Sequence, residues 1–331
     1  MIDDDFIKDL MGRADPAPMI GSDAVEVSHV LARIVETPRS PRWRAQIDLR
    51  PRLGFAYIAI ALLIISTLTT SALTMFWPPA RAVAATPVPL QVTPISESSR
   101  SLLLNMSKKL SSETPNSPAA VLRFQTWSLS IMPEESGLPT TVVPERVQIT
   151  QRPDGSRAIS VSAGDPYTPP GSVAAKDLVA PGTVLWEQAF APGEYQFLFS
   201  EPPNEAGRVA DYLSAHNALP PDPSAGDYLN SLPVLMTERT LTAKQESVLL
   251  AFLAELPDIE TTGKVVDRLG RPGIAFSTTS RDPGNYVDTI IVSPTTGHIL
   301  SYETTYTGGT RTDIAAPAVV AYTAWERTEP E

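Results

Sequence analysis

The chain has 331 residues, a net charge of −11 and no cysteine. Without thiols it has no disulfides, zinc–thiolate sites, iron–sulfur clusters or cysteine-linked lipid anchor. Its acidity opposes binding to nucleic acid and tight docking on anionic lipid.

Residues 1–54 form a nearly neutral segment with 8 Lys/Arg and 9 Asp/Glu. Phe6, Ile7, Leu10 and Met11 recur at helical spacing, and so do Val27, Val30, Leu31 and Ile34, with Asp15-Pro16-Ala17-Pro18 between the two groups. Each pattern is shorter than the roughly 12–15 residues an isolated helix needs in water. The segment is therefore expected to be a tail of short helices or disordered chain that orders on a partner.

Phe55 to Trp77 is a run of 23 residues without a charge. A helix of that length matches a hydrocarbon core of about 30 Å. Ten of its residues are Leu, Ile or Phe, which together favour insertion by roughly 3–6 kcal/mol. Six Ser and Thr residues work against insertion, and their hydroxyls can bond back to carbonyls one turn earlier. Trp77 suits the interface, and Pro78-Pro79 stops the helix. Arg39, Arg42, Arg44, Arg50 and Arg52 precede the run, whereas only Arg81 follows closely. The positive-inside bias then puts the N-terminus in the cytoplasm and the C-terminal bulk outside the cell membrane. Ala82-Val83-Ala84 resembles a signal cleavage site, but a region of over 50 residues precedes the run, which favours an anchor. Ser66/Thr70 and Thr67/Ser71 are small-residue pairs of the kind that let two helices approach.

Residues 78–98 read as a proline-rich linker, and 99–331 as a folded domain. Beyond the span there are 18 basic and 28 acidic residues, a net of −10. Leu103, Met106 and Leu110 give a short helix near Ser99–Ser111. Period-two patterns follow over Val121–Ile131, Val142–Thr150, Arg157–Ser162, Val184–Phe190 and Tyr195–Ser200. Arg152-Pro153-Asp154-Gly155 and Pro192-Gly193 read as hairpin turns.

Three helices come next. The first carries Val209, Tyr212, Leu213 and His216. The second carries Tyr228, Leu229, Leu232, Leu235 and Met236, with an interruption at Pro233. The third starts at a Thr242/Gln245 capping box and stops at Pro257. Strands return over Ile259–Asp267, Gly273–Thr279, Val287–Ser293, His298–Thr307 and Val319–Glu326. Hairpin-joined strands, then helices, then strands predict an α+β class, with a curved, half-barrel-like antiparallel sheet and helices packed on one face.

The stretches LAELPDIETTGKVVDRLGRPGIAFST and IIVSPTTGHILSYE, with the earlier FLFSEPPNEAGRVADYL, resemble a family of uncharacterised actinobacterial single-pass membrane proteins. That resemblance implies a short cytoplasmic tail, one transmembrane helix and a Cys-poor exterior domain, often encoded near extracytoplasmic sigma factors. The order of elements is also similar to the half-barrels of lipoprotein carriers and of periplasmic regulators of anti-sigma factors, a likeness of fold that confers no function. The topology and the membrane-protein resemblance together imply an extracytoplasmic sensing or binding domain, with sigma-factor-linked signalling through a protein partner of the tail. The alternative is a module that holds a lipid or another apolar molecule between sheet and helices.

Catalytic and metal chemistry find little footing. The three histidines, His29, His216 and His298, show no ligand spacing. His216 reads as a helix-end histidine and His298 as an exposed turn residue. No Gly-x-Ser-x-Gly elbow occurs, and Gly308-Gly309 precedes Arg311 as a turn rather than a phosphate cradle. Glu134, Glu135 and Glu201 read as solvated loop charges. Trp127, Trp186, Phe190, Phe197 and Phe199 read as core residues on strands. We therefore expect no enzyme activity, no cofactor, no metal and no catalytic residue.

Overall fold

A computed structural model describes residues 84–113, 120–129, 141–168, 176, 178–217 and 219–327. The expected tail and the apolar run Phe55–Trp77 lie outside these residues, as do Glu134 and Glu135. Among the described residues no helix is long and apolar enough to cross a membrane.

The class is α+β, with a large antiparallel sheet and few helices. Helix α1 (Ser99–Ser111) opens the body. Strands β1 (Val121–Ser128), β2 (Glu145–Gln151), β3 (Arg157–Ala163) and β4 (Val184–Phe190) follow as an antiparallel meander. Then come α2 (Val209–Asn217), α3 (Ala225–Glu238) and α4 (Ala243–Leu253). A second meander comprises β5 (Glu260–Val266), β6 (Pro272–Thr278), β7 (Tyr286–Val292), β8 (Ile299–Tyr306) and β9 (Ala318–Trp325). Antiparallel pairing of β1 with β9, in register at Phe124↔Trp325, joins the meanders in the order β4-β3-β2-β1-β9-β8-β7-β6-β5.

Period-two alternation gives the inner strands two destinations. Leu122 and Phe124 of β1, Val147 and Ile149 of β2, Ile274 and Phe276 of β6, and Ile290 and Val292 of β7 join one buried cluster with Leu103, Leu229, Leu232, Leu235 and Leu249 of the helices. Trp127, Ala275, Ile291 and Tyr322 belong to separate clusters. Part of the expected linker reaches those clusters. Ala85 packs with Trp127 and Tyr322, and Leu90 with Val265 and Ile291. Ala84 N–H donates to Asp313 O at 2.7 Å, and Thr93 and Lys264 exchange backbone hydrogen bonds of 2.9 and 2.8 Å at the β5 edge. Arg268 donates to Val88 O at 2.7 Å.

Gly263, at φ +150°, makes this edge contact possible: a Cβ there would meet Thr93 O at 2.4 Å. The obstacle is backbone and cannot rotate away. Gly263→Ala is expected to cost about 1–3 kcal/mol and to speed hydrogen exchange of the Lys264 amide. An unchanged Lys264 exchange rate would contradict the contact.

Two sequence expectations change. Tyr195–Ser200 is not a strand, because side chains from the end of α3 hold its backbone, as described below. Helix α3 also runs unbroken through Pro233. Its capping box, Ser224 with Asp227, fixes the start, and Thr237 donates to Pro233 O at 2.7 Å. Packing of Leu229, Leu232 and Leu235 outweighs the hydrogen bond lost at the proline.

Candidate functional site

The end of α3 and the β2–β3 turn frame a cleft of about 360 Å³. Its walls include Leu122, Ile149, Arg152, Arg157, Phe197 and Arg239. The turn forms because Asp154 accepts from Ser156 N–H at 2.8 Å and Gly155 takes φ +85°. It sets Arg157 at the first position of β3, opposite Gln151 and on the same side as Ile159 and Val161. Arg157 is 3% exposed.

Residues 195–201 close the cleft. The Glu238 carboxylate accepts from Leu198 N–H at 2.5 Å and Phe199 N–H at 2.9 Å. The neighbouring Arg239 donates through Nε and Nη2 to Phe199 O at 3.0 and 2.5 Å. These bonds take the groups a sheet ladder would have used, which explains the absent strand. Arg239 lies over the Phe197 ring, 3.6 Å from its centroid, and Arg157 stands over Tyr195 at 4.2 Å.

The charge balance of the cleft is unusual for this molecule. Arg268, Arg271, Arg281 and Arg327 each pair with a buried carboxylate: Glu303, Asp267, Asp288 and Glu246. Arg157 and Arg239 bond instead to backbone carbonyls, Glu238 O at 2.9 Å and Phe199 O. Glu238 is taken by the 195–201 backbone, and Glu201 accepts from Gln245 Nε2 at 2.8 Å. Burial pulls the Arg157 guanidinium down from its ordinary value, Tyr195 and Glu238 oppose this, and Arg239 adds to it. Arg157 Nε and Gln151 Oε1 are buried without a hydrogen-bond partner.

A second cluster centres on Glu246, fully buried in the first turn of α4. It accepts from Ile299 N–H at 2.6 Å and from Arg327 Nη2 at 2.9 Å, and it pairs with His298 Nδ1 at 2.8 Å. His298 is therefore not the exposed turn residue expected. Burial pushes the Glu246 carboxyl up, but Arg327, the His298 bond and the Ile299 N–H outweigh it and hold the group below its ordinary value.

His216 ends α2 as expected, with Nδ1 2.7 Å from Tyr212 O and its ring stacked on Phe199. His29 lies outside the described residues. Among the described residues no cluster of His, Asp or Glu forms a metal site. Trp127 and Phe199 are core residues, but Trp186 is 47% exposed because β4 is an edge strand with both faces open. Phe190 and Phe197 are half-buried, and none of Tyr195, Phe197 and Phe199 stands on a strand. The sequence reading singled out Phe197 and Glu201 separately; the fold brings both to the cleft. It missed Arg157, although a cation in phase with Ile159 and Val161 was the available signal.

No family model matches this chain, and no curated protein is similar to it.

Proposed function

We propose that the chain is a single-pass cell-membrane protein of the actinobacterial type, anchored by Phe55–Trp77. Its tail lies in the cytoplasm, and the body after the linker lies outside as a sensing or binding domain. In this reading the sheet curves around its helices as a half-barrel, and the tail engages a cytoplasmic protein, with sigma-factor-linked signalling as the regulatory context. The observation that carries the proposal is the uncharged run of 23 residues with five arginines before it and one close behind. The body that follows supports it, because its fold is tied together from Ala84 onward, only a few residues past the run.

We put the binding role at the arginine-lined cleft.

Alkaline phosphatase fused after Glu331 is expected to be active in intact cells, and the same enzyme fused after residue 54 inactive. The reverse pattern would overturn the orientation, and activity of neither fusion would overturn the exterior placement.

A further inference from the structure

We infer that the cleft between the β2–β3 turn and the end of α3 binds a small organic oxyanion, a carboxylate or phosphate carrying an apolar body. The inference rests on reading this body as a binding domain, but not on which side of the membrane it lies.

The first argument is charge. Four other half-buried or buried arginines in the described residues each meet a carboxylate. Arg157, the most buried of the cleft's cations, hydrogen-bonds one backbone carbonyl and faces two aromatic rings, and the Glu238 carboxylate acts on it through space without forming an ion pair. Arg239 meets one carbonyl and one ring. Arg152 adds a third cation at the rim, its Nη1 3.4 Å from Ser156 Oγ. Desolvating a guanidinium without an ion pair is costly, and an anion between these groups offsets that cost.

The second argument is geometry. Arg157 Nε has no hydrogen-bond partner although the residue is 3% exposed. Guanidinium groups bind carboxylate and phosphate through paired N–H bonds, and the Nε edge is one such pair. Gln151, directly across the strand pair, also lines the cleft, and its buried Oε1 has no hydrogen-bond partner. Both carboxylates that line the cleft are already engaged, Glu238 by two backbone N–H groups and Glu201 by Gln245, which limits their competition for the arginines.

The third argument is the remaining wall. Leu122, Ile149, Pro202 and the Phe197 ring line the same cleft. A volume of about 360 Å³ falls within the range of small-molecule sites and suits an oxyanion head with a ring-sized apolar body.

The test uses the full-length protein in detergent and isothermal titration with benzoate, phenyl phosphate and neutral benzyl alcohol. Benzoate or phenyl phosphate is expected to bind roughly tenfold or more tightly than benzyl alcohol, and the difference should shrink as salt rises. Arg239→Gln should remove most of that preference. The comparison among the three probes needs no variant, so it stands even if Arg239→Gln disturbs residues 195–201. Vesicles of phosphatidylglycerol that compete with phenyl phosphate would identify a lipid headgroup as the source of the oxyanion; unchanged affinity would identify a free small molecule. Equal binding of all three probes, or binding of none, would overturn the inference. The phosphatase fusions report on topology independently, so either proposal can fail alone.

Discussion

Asp288→Ala is expected to lower the stability of the folded body by about 3–5 kcal/mol, read as a drop in the urea midpoint without a change in m-value. Asp288 has no exposed surface. It accepts two bonds from Arg281, at 2.8 and 2.9 Å, one from the Tyr302 hydroxyl at 2.7 Å and one from Thr304 Oγ1 at 3.2 Å. Removing the carboxylate leaves the Arg281 guanidinium and two hydroxyls short of an acceptor, and this unmet desolvation is the main penalty. The network also fixes how α3 meets the sheet. The Tyr302 hydroxyl oxygen also lies 3.1 Å from the Asn230 side chain on α3, and a Cβ on Gly226 would come within 2.7 Å of the Arg281 backbone nitrogen. The double variant Asp288→Leu with Arg281→Met removes both charges together and should recover much of the loss. A loss below about 1 kcal/mol for Asp288→Ala would mean that the network is not what holds this contact.

The second large effect is expected at Glu246, and it depends on pH. Glu246→Gln should cost about 3 kcal/mol at pH 7, because Arg327 loses its buried partner. Glu246 titrates below its ordinary value in the folded protein. Its stabilisation is therefore complete above the unfolded value and is lost as pH falls through the folded value. The wild type should approach the variant in stability as pH drops from 7 towards 3. Glu303 behaves oppositely: burial raises its carboxyl despite Arg268, and Asp267 adds to the rise. Its contribution is present at low pH and lost as pH rises through the raised value. Urea midpoints of wild type, Glu246→Gln and Glu303→Gln across that pH range separate the two. A constant gap between wild type and Glu246→Gln would contradict the assignment.

The elements that depend on local chemistry were legible in the sequence. The Thr242/Gln245 box caps α4 as read, the turn at 152–155 divides β2 from β3, and the strand limits read at Asp267, Gly273, Ser293 and His298 fall within a residue of those observed. Alternation marked Leu122 and Phe124 as opposite in face to Trp127. What failed was set by partners distant in the chain. Tyr195–Ser200 has a strand-like pattern, but Glu238 and Arg239, some 40 residues on, take its backbone groups. His298 follows a glycine in a turn, yet a buried Glu246 52 residues earlier draws it in. Trp186 has the residue type of a core position, but sheet order puts it on the outermost strand. The cleft itself was hidden for the same reason: Arg157 and Arg239 are 82 positions apart in the chain and share the Phe197 ring only in the fold.

The most direct test of the proposed arrangement uses the absence of native cysteine. Asn204→Cys puts a single thiol on an exposed position of the folded body, and Ser22→Cys puts one in the tail. In intact cells a membrane-impermeant maleimide should label Asn204→Cys and leave Ser22→Cys unlabelled until the membrane is opened. Labelling of Ser22→Cys with protection of Asn204→Cys would contradict the account.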